Sequence, residues 1–175
     1  MNHLDIKDVS WIFTGCCANF ILTQDFKLIG INDLFEPLLT AMAMPGIIQC
    51  ASGKDHYLLL AIAGQVLVSG IGATMAAFIT DPALAGSNEY GQLGLGHNNR
   101  ILNHKIIDGF NVIRIAAGDD HSLFMTDDEK VYAFGKNDKG QLGLGIEATT
   151  AAFITDPPLA GHFNNVLIPT LVMNL

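Results

Sequence analysis

The chain has 175 residues, half of them hydrophobic, and it carries 9 Lys and Arg against 17 Asp and Glu, for a net charge of −8. This length and composition indicate a folded domain with a core and exclude a disordered chain. The acidic balance excludes broad binding to DNA, RNA or anionic lipid, because such binding needs clustered cations that neutralise phosphates. We therefore expect neither a nucleic-acid partner nor a membrane partner.

The amino-terminal residues and the cysteines predict a cytoplasmic protein. No basic segment precedes the first apolar run, as it would in a signal peptide, and no apolar run reaches the roughly 18 residues that a membrane helix needs. Cys16, Cys17 and Cys50 are odd in number and lack C-x-x-C spacing. That pattern disfavours a disulfide framework or a zinc site and favours reduced, buried thiols.

The first predicted unit, residues 9–46, is a degenerate repeat within an array that covers residues 1–175. Three of its residues recur 103 positions later: Gly15, Thr23 and Lys27 fall on Gly118, Thr126 and Lys130. The Asp-His pair of the later units is replaced by Cys17 and Ala18, and no GQLGLG segment follows. Terminal repeats are often atypical in this way.

The second predicted unit, residues 47–96, contains the short apolar runs IIQCA, HYLLLAI and QVLVS, separated by Gly and Asp. Such runs indicate short antiparallel strands joined by tight turns. Gly64 stands where a hairpin turn requires a positive φ, and its equivalent in the next unit is Glu129, which predicts strain or a different turn there. The unit ends in SNEYGQLGLG, whose glycines predict a sharp reversal and close backbone approach.

The third predicted unit, residues 97–145, repeats the second, and residues 162–175 begin a further, truncated one. Eight positions recur 65 residues later: Ile48, Ala51, Gly53, Asp55, His56, Leu58, Val66 and Gly70 fall on Ile113, Ala116, Gly118, Asp120, His121, Leu123, Val131 and Gly135. The GQLGLG segments, however, recur after only 49 residues. The two spacings differ by the length of an inserted block.

Two 16-residue blocks, residues 71–86 and 146–161, interrupt the repeat of about 49 residues at different points. The blocks share 13 positions, whereas the 24-residue host segments share only 8, so the blocks are later insertions. We expect surface excursions with short helical turns, whose deletion leaves the free energy of unfolding undiminished. A tandem ligand site in the doubled block is the alternative hypothesis.

The segments ASGKDHYLLL, SNEYGQLGLG and AAGDDHSLFMTDDEKVYAFGKNDKGQLGLG resemble the repeats of the regulator of chromosome condensation family. The resemblance implies a β-propeller, usually of about seven four-stranded blades, that serves as an interaction platform. Without the two blocks 143 residues remain, enough for about three repeats. The expected fold is therefore all-β, an incomplete propeller rather than a closed seven-bladed ring, whose open blade edges favour self-association.

The residues that carry the structural repeat motif are glycines, histidines and glutamines that recur with the repeat. They are Gly53, His56, Gly70, Gly91, Gln92, Gly94, Gly118, His121, Gly135, Gly140, Gln141 and Gly143. Both histidines follow an acid, which raises the hypothesis of a general base or a ligand. Recurrence with the scaffold favours instead a structural histidine that bonds its own turn.

No catalytic residue, cofactor site or metal site is predicted. The segment SGKD lacks phosphate-loop spacing, GQLGLG lacks the third glycine of a dinucleotide fingerprint, and the carboxylates of residues 119–129 lack calcium-loop spacing. The favoured hypothesis is a non-enzymatic protein-protein interaction module. Family resemblance adds a small GTPase, regulated through guanine-nucleotide exchange, as a candidate partner. The alternative is a truncated propeller remnant without independent function.

Overall fold

The computed structural model describes residues 8–14, 19–25, 27–31, 37–43, 46–70, 87–101, 104–144 and 164–172. Within these ranges the chain forms only β-strands and turns: β1 (Val9–Thr14), β2 (Asn19–Thr23), β3 (Lys27–Ile31), β4 (Pro37–Ala43), β5 (Ile47–Ser52), β6 (His56–Ala61), β7 (Val66–Gly70), β8 (Lys105–Ile107), β9 (Val112–Ala117), β10 (His121–Thr126), β11 (Val131–Gly135) and β12 (Val166–Leu171). The inserted blocks, and the helical turns predicted in them, lie outside the described residues.

The strands form three antiparallel sheets of four, in chain order, which we call the first blade (β1 to β4), the second blade (β5 to β8) and the third blade (β9 to β12). The prediction of an all-β, incomplete propeller is confirmed. All six strands expected from the apolar runs at 47–70 and 112–135 are present. The fourth strands of the second and third blades, β8 and β12, follow the GQLGLG segments. These two sheets are therefore completed one strand after the GQLGLG segment that ends the sequence repeat.

Alternate residues of β6 enter two different cores, because successive side chains of a strand point to opposite faces. Tyr57 and Leu59 pack against the first blade. Leu58 and Leu60 pack against the third blade. Every residue from His56 to Leu60 is consequently buried. The second blade is thus held between its neighbours by apolar contacts on both faces.

The second and third strands are joined by the same tight turn in the second and third blades. Gly64 has a φ of 77° and donates its N–H to the Ala61 carbonyl at 2.9 Å. Glu129 has a φ of 63° and donates its N–H to the Thr126 carbonyl at 3.0 Å. The turn is therefore conserved in geometry, and Glu129 carries the predicted strain, since a left-handed residue with a Cβ costs roughly 1–2 kcal/mol.

We expect Glu129→Gly to raise the free energy of unfolding by about 1 kcal/mol, because relief of the left-handed strain exceeds the added entropy of the unfolded chain. Urea unfolding at neutral pH measures the change. Glu129→Ala is the matched control, since it removes the same carboxylate but keeps the Cβ. An equal gain in both variants would show that charge, and not the backbone, is responsible.

Candidate functional site

Each histidine of the repeat motif lies against the glycine three residues before it. A Cβ atom on Gly53 would come within 2.2 Å of His56 Cε1, and one on Gly118 within 2.1 Å of His121 Cε1. Only glycine leaves room for an imidazole at the start of the second strand. The cross-strand partners of the two histidines are the glycines that end the third strands, Gly70 and Gly135.

His56 connects the second blade to the third. Its Nε2 lies 2.8 Å from Ser122 Oγ, and the Ser122 hydroxyl donates to the Gln92 carbonyl at 2.8 Å. Because a hydroxyl has one proton, Ser122 must accept from His56, which places the imidazole proton on Nε2. The prediction that this histidine bonds its own turn is wrong, because the hydroxyl that accepts its proton belongs to the next blade.

The GQLGLG segments both fold into two successive tight turns. In the first segment, Gly91 donates its N–H to the Asn88 carbonyl at 3.0 Å, and Gly94 donates to the Gly91 carbonyl at 2.9 Å. Both glycines have positive φ, 76° and 67°. The second segment repeats the two bonds, each at 3.0 Å, with its equivalent residues Gly140, Asn137 and Gly143. The glycines are needed because both turns pass through the left-handed region.

The motif glutamines hold these turns from within. Gln92 is fully buried, and its Oε1 accepts the Tyr90 N–H at 3.0 Å. Gln141 accepts the Lys139 N–H at 2.9 Å in the same way, and its Nε2 donates to Asp138 at 3.1 Å. Each amide therefore satisfies backbone and side-chain groups of its own loop rather than facing a ligand.

Two buried asparagines, which sequence reasoning did not single out, hold the same turns. The Leu93 N–H donates to Asn88 Oδ1 at 3.0 Å, and Asn88 Nδ2 donates to the carbonyls of His97 and Asn99 at 2.8 and 3.1 Å. Asn137 is the equivalent residue, and its Oδ1 accepts the corresponding N–H at 3.1 Å. The available signal was the asparagine that both loops carry three residues before their first glycine.

The first GQLGLG segment lies against the third blade. A Cβ on Gly91 would come within 2.9 Å of Leu167 Cα, and one on Gly94 would come within 2.9 Å of the Phe134 ring. The Gly96 N–H donates to the Leu167 carbonyl at 2.9 Å. The motif glycines of this segment therefore also permit close packing between blades.

A cluster of polar side chains lies where the loops of the second and third blades meet. Lys136 Nζ lies 3.5 Å from Asp120 Oδ2, 3.8 Å from Asp138 Oδ2 and 4.6 Å from the centre of the Tyr90 ring. Burial lowers the pKa of Lys136, but the neighbouring Tyr90, Asp138 and Asp120 together raise it. We call Tyr90, Asp120, Lys136 and Asp138 the loop cluster. It presents a fixed cation among carboxylates at a partly exposed surface.

The described residues give little support for a metal site or for a reactive cysteine. Among their residues, no group of three or more His, Cys, Asp and Glu side chains could hold a metal ion. Burial raises the pKa of the Cys50 thiol to about 12, so that this free cysteine is un-ionised at neutral pH. Cys16 and Cys17 lie outside the described residues. No helix of the described chain is long and apolar enough to cross a membrane.

Comparison with protein families agrees with the blades and their glycine turns. A profile of the Regulator of chromosome condensation (RCC1) repeat matches residues 85–125 and 128–175, which make up just over half of the chain. A second profile of the same description matches residues 112–141. The chain belongs to the RCC1 repeat family. The residues that the first profile matches include both GQLGLG segments, Gly118 and His121.

Individual relatives match shorter stretches of this RCC1-repeat chain. Protein RCC2 of Homo sapiens is 38% identical over 87 residues, which are 46% of this chain and 17% of that protein. The secretion-regulating guanine nucleotide exchange factor of Bos taurus is 42% identical over 64 residues, 34% of this chain and 14% of that protein. The chain thus spans less than a fifth of either relative's length.

The fold is shared with a solved structure. Prp20p from Saccharomyces cerevisiae, described together with its binding to Gsp1p and histones, superposes on 97% of this chain with a TM-score of 0.67 and 18% identity. The superposition uses 39% of the Prp20p chain. It shows that the three blades have the arrangement of blades in a larger propeller.

Proposed function

We propose that this RCC1-repeat protein is a non-enzymatic protein-interaction module that binds its partner at the loop cluster. The observation that carries the proposal is that the loop side chains have two different roles. Buried amides such as those of Asn88 and Gln92 fix the loop backbone. Lys136 and the carboxylates of Asp120 and Asp138 lie at the surface. Recognition residues concentrate on loops that a rigid scaffold positions. This arrangement is suited to recognition and supplies no reacting group.

The surface extends across two blades. In a meander of antiparallel strands, the first-to-second and third-to-fourth connections leave the sheet at the same end. The Lys54 N–H donates to the Asp119 carbonyl at 2.8 Å, and the Lys136 N–H donates to the Asp120 carbonyl at 2.9 Å. The first bond joins the loops of two blades directly. A partner at this end would therefore contact loops whose relative positions are fixed.

We further infer that the partner is a small GTPase whose nucleotide release the module accelerates. The similarity to the bovine guanine nucleotide exchange factor and the fold shared with Prp20p, whose binding to Gsp1p has been described, support this inference. Exchange by distortion of a GTPase's nucleotide site needs a rigid contact surface and no covalent step. The net charge of −8 favours encounter with a basic partner surface.

Release of a fluorescent GDP analogue from a panel of small GTPases tests the exchange activity, and we expect acceleration for at least one member. Lys136→Glu should abolish most of that acceleration, because it reverses the one cation of the loop cluster. Lys130→Glu is the matched control: Lys130 also pairs with a carboxylate, Asp128 at 2.7 Å, but lies in a hairpin at the opposite end of the blade.

A flat response across the panel would contradict the exchange activity, and equal losses in both lysine variants would contradict the location. The alternative, a remnant without independent function, makes a separate prediction. Such a chain would lack a cooperative unfolding transition, so a single sigmoidal urea transition by two spectroscopic probes would contradict it.

A further inference from the structure

The hairpin that joins the second and third strands is apolar in the second blade and polar in the other two. It reads AIAGQ at residues 61–65, whereas the equivalent segments read TQDFK at 23–27 and TDDEK at 126–130. In an antiparallel meander this connection leaves the sheet at the end opposite to the first-to-second loop. The hairpins therefore lie at the opposite end of the blades from the loop cluster, and we call this end the hairpin end.

Ile62 is the most prominent residue of the apolar hairpin, with 73% of its surface exposed. Its N–H donates to the Gly46 carbonyl at 2.6 Å, and the equivalent Asp127 N–H donates to the Asn111 carbonyl at 3.0 Å. An acidic residue therefore satisfies the same turn. Neither the turn geometry nor burial within this chain accounts for an isoleucine at this position.

The Ile62 side chain is nevertheless held in one place. Gly46 has a φ of 90°, and a Cβ on it would come within 3.0 Å of Ile62 Cγ2. The isoleucine methyl thus lies over the glycine backbone. A side chain that is already fixed loses little rotamer freedom when a partner covers it.

Three further apolar residues lie exposed at the same end. Ile48 and Ile113 are 41% and 45% exposed, and each is the extra residue of a bulge at the start of its strand, β5 or β9. The hairpin bridges these strands, because the Gly64 carbonyl accepts the Val112 N–H at 2.9 Å. We call the following exposed residues the apolar patch: Ile48, Ile62, Ala63 and Ile113.

The charge of the described connections is concentrated at the hairpin end. Six carboxylates and one lysine lie there, a net charge of −5: Asp8, Asp25, Asp108, Asp127, Asp128, Glu129 and Lys130. The described connections at the loop-cluster end carry five carboxylates and four cations, a net charge of −1: Asp55, Glu89, Asp119, Asp120, Asp138, Lys54, Arg100, Lys136 and Lys139. The apolar patch therefore lies in the more acidic of the two ends.

The apolar patch lies on the middle blade and at the start of the third. Blades of a propeller pack face to face around the ring. Further blades would consequently lie beside the first and third blades and leave the ends of the strands uncovered. The position of the patch is thus independent of how many blades the ring contains.

We propose that the hairpin end docks a basic amphipathic helix of a partner protein, with the apolar stripe of the helix on the apolar patch. Carboxylates flank the patch on both sides, at Asp25 of the first blade and Glu129 of the third. Lysines or arginines on both flanks of the stripe match this arrangement. The same carboxylates repel anionic lipid and nucleic acid. The docking surface is separate from the loop cluster, so the two ends can hold different partners.

A fluorescent peptide of about 18 leucines and lysines, ordered to form a helix with a single apolar stripe, is a suitable probe. Fluorescence anisotropy measures its binding to the whole chain. A peptide of identical composition, scrambled so that no stripe forms, is the control. We expect the striped peptide to bind at least about tenfold more tightly than the scrambled one, and its affinity to fall as salt is added.

Two pairs of variants test the location. Ile62→Ser should weaken binding of the striped peptide about tenfold, because the apolar contact is lost. Ile106→Ser is its control, since Ile106 is 44% exposed on β8, away from the patch. Glu129→Gln should weaken binding about two- to threefold. Glu89→Gln, an equal change of charge at the loop-cluster end, should leave the affinity unchanged.

Several results would overturn the proposal. Equal affinity for the striped and scrambled peptides, or no binding of either, would exclude recognition of an apolar stripe. Equal losses in both glutamine variants would show attraction to the acidic chain as a whole. A large drop in the urea midpoint of Ile62→Ser would show that Ile62 serves the fold of this chain. Acceleration of nucleotide release should be the same in Ile62→Ser and the wild type, so failure of the exchange activity is a separate outcome.

Discussion

Gly53→Ala is expected to lower the free energy of unfolding by about 3–4 kcal/mol, from overpacking together with a broken buried hydrogen bond. The added methyl would lie 2.2 Å from His56 Cε1 and 2.5 Å from the Gly118 carbonyl oxygen. Neither neighbour can yield. The His56 ring is fully buried and bonded to Ser122, and the carbonyl belongs to the backbone of the next blade.

Gly118→Ala is the matched variant, because the same methyl would lie 2.1 Å from His121 Cε1. Here we expect a loss of only about 1 kcal/mol, since the half-buried His121 ring can turn toward solvent. Urea unfolding followed by circular dichroism measures both variants. Equal losses would show that the contact between blades does not decide the cost at Gly53.

Acidification from pH 6.5 to 4.5 is expected to lower the free energy of unfolding by about 2 kcal/mol through His56 alone. Burial, and secondarily the charge of His121, lower the pKa of His56 from 6.5 to about 3. Between these values the unfolded chain binds a proton that the folded chain does not. The contribution to stability is therefore complete above pH 6.5 and is lost as the pH falls toward 3. The described structure gives Nδ1, the atom that would be protonated, no hydrogen-bond partner.

His56→Gln isolates this effect, because an amide can still donate to Ser122 but does not titrate. The variant should be less stable than the wild type at neutral pH, owing to the smaller side chain, yet lose less stability on acidification. Burial also lowers the pKa of His104, and that contribution cancels when the two proteins are compared. Parallel pH profiles of wild type and variant would contradict the assignment to His56.

Local features of this protein were predictable from the sequence. The six strands of residues 47–70 and 112–135 follow from short apolar runs between turn residues. The strain at Glu129 follows from its alignment with Gly64, since a turn of fixed geometry demands the same φ from whichever residue occupies it. The number of blades described, and their relation to RCC1 repeats, follow from the spacing of GQLGLG and the histidines.

The candidate functional site was less predictable, because its contacts join distant residues. Ser122, the partner of His56, is 66 positions away, and nothing in the sequence around either residue specifies the bond. The roles of Asn88 and of the loop cluster depend on which loops meet at one end of the blades. The motif residues were recognised from their recurrence, but the backbone and side-chain groups to which they are hydrogen-bonded were not.

Ile12, Cys50 and Ile115 show most directly what the sequence by itself determined and what only the tertiary structure decided. Apolar character at one register position of a repeated strand determines that all three residues lie on the same face of their blades. It does not determine their burial. Cys50 and Ile115 are buried and Ile12 is exposed because a strand needs a neighbouring blade to exclude water, and only the packing of the blades decides which faces have one.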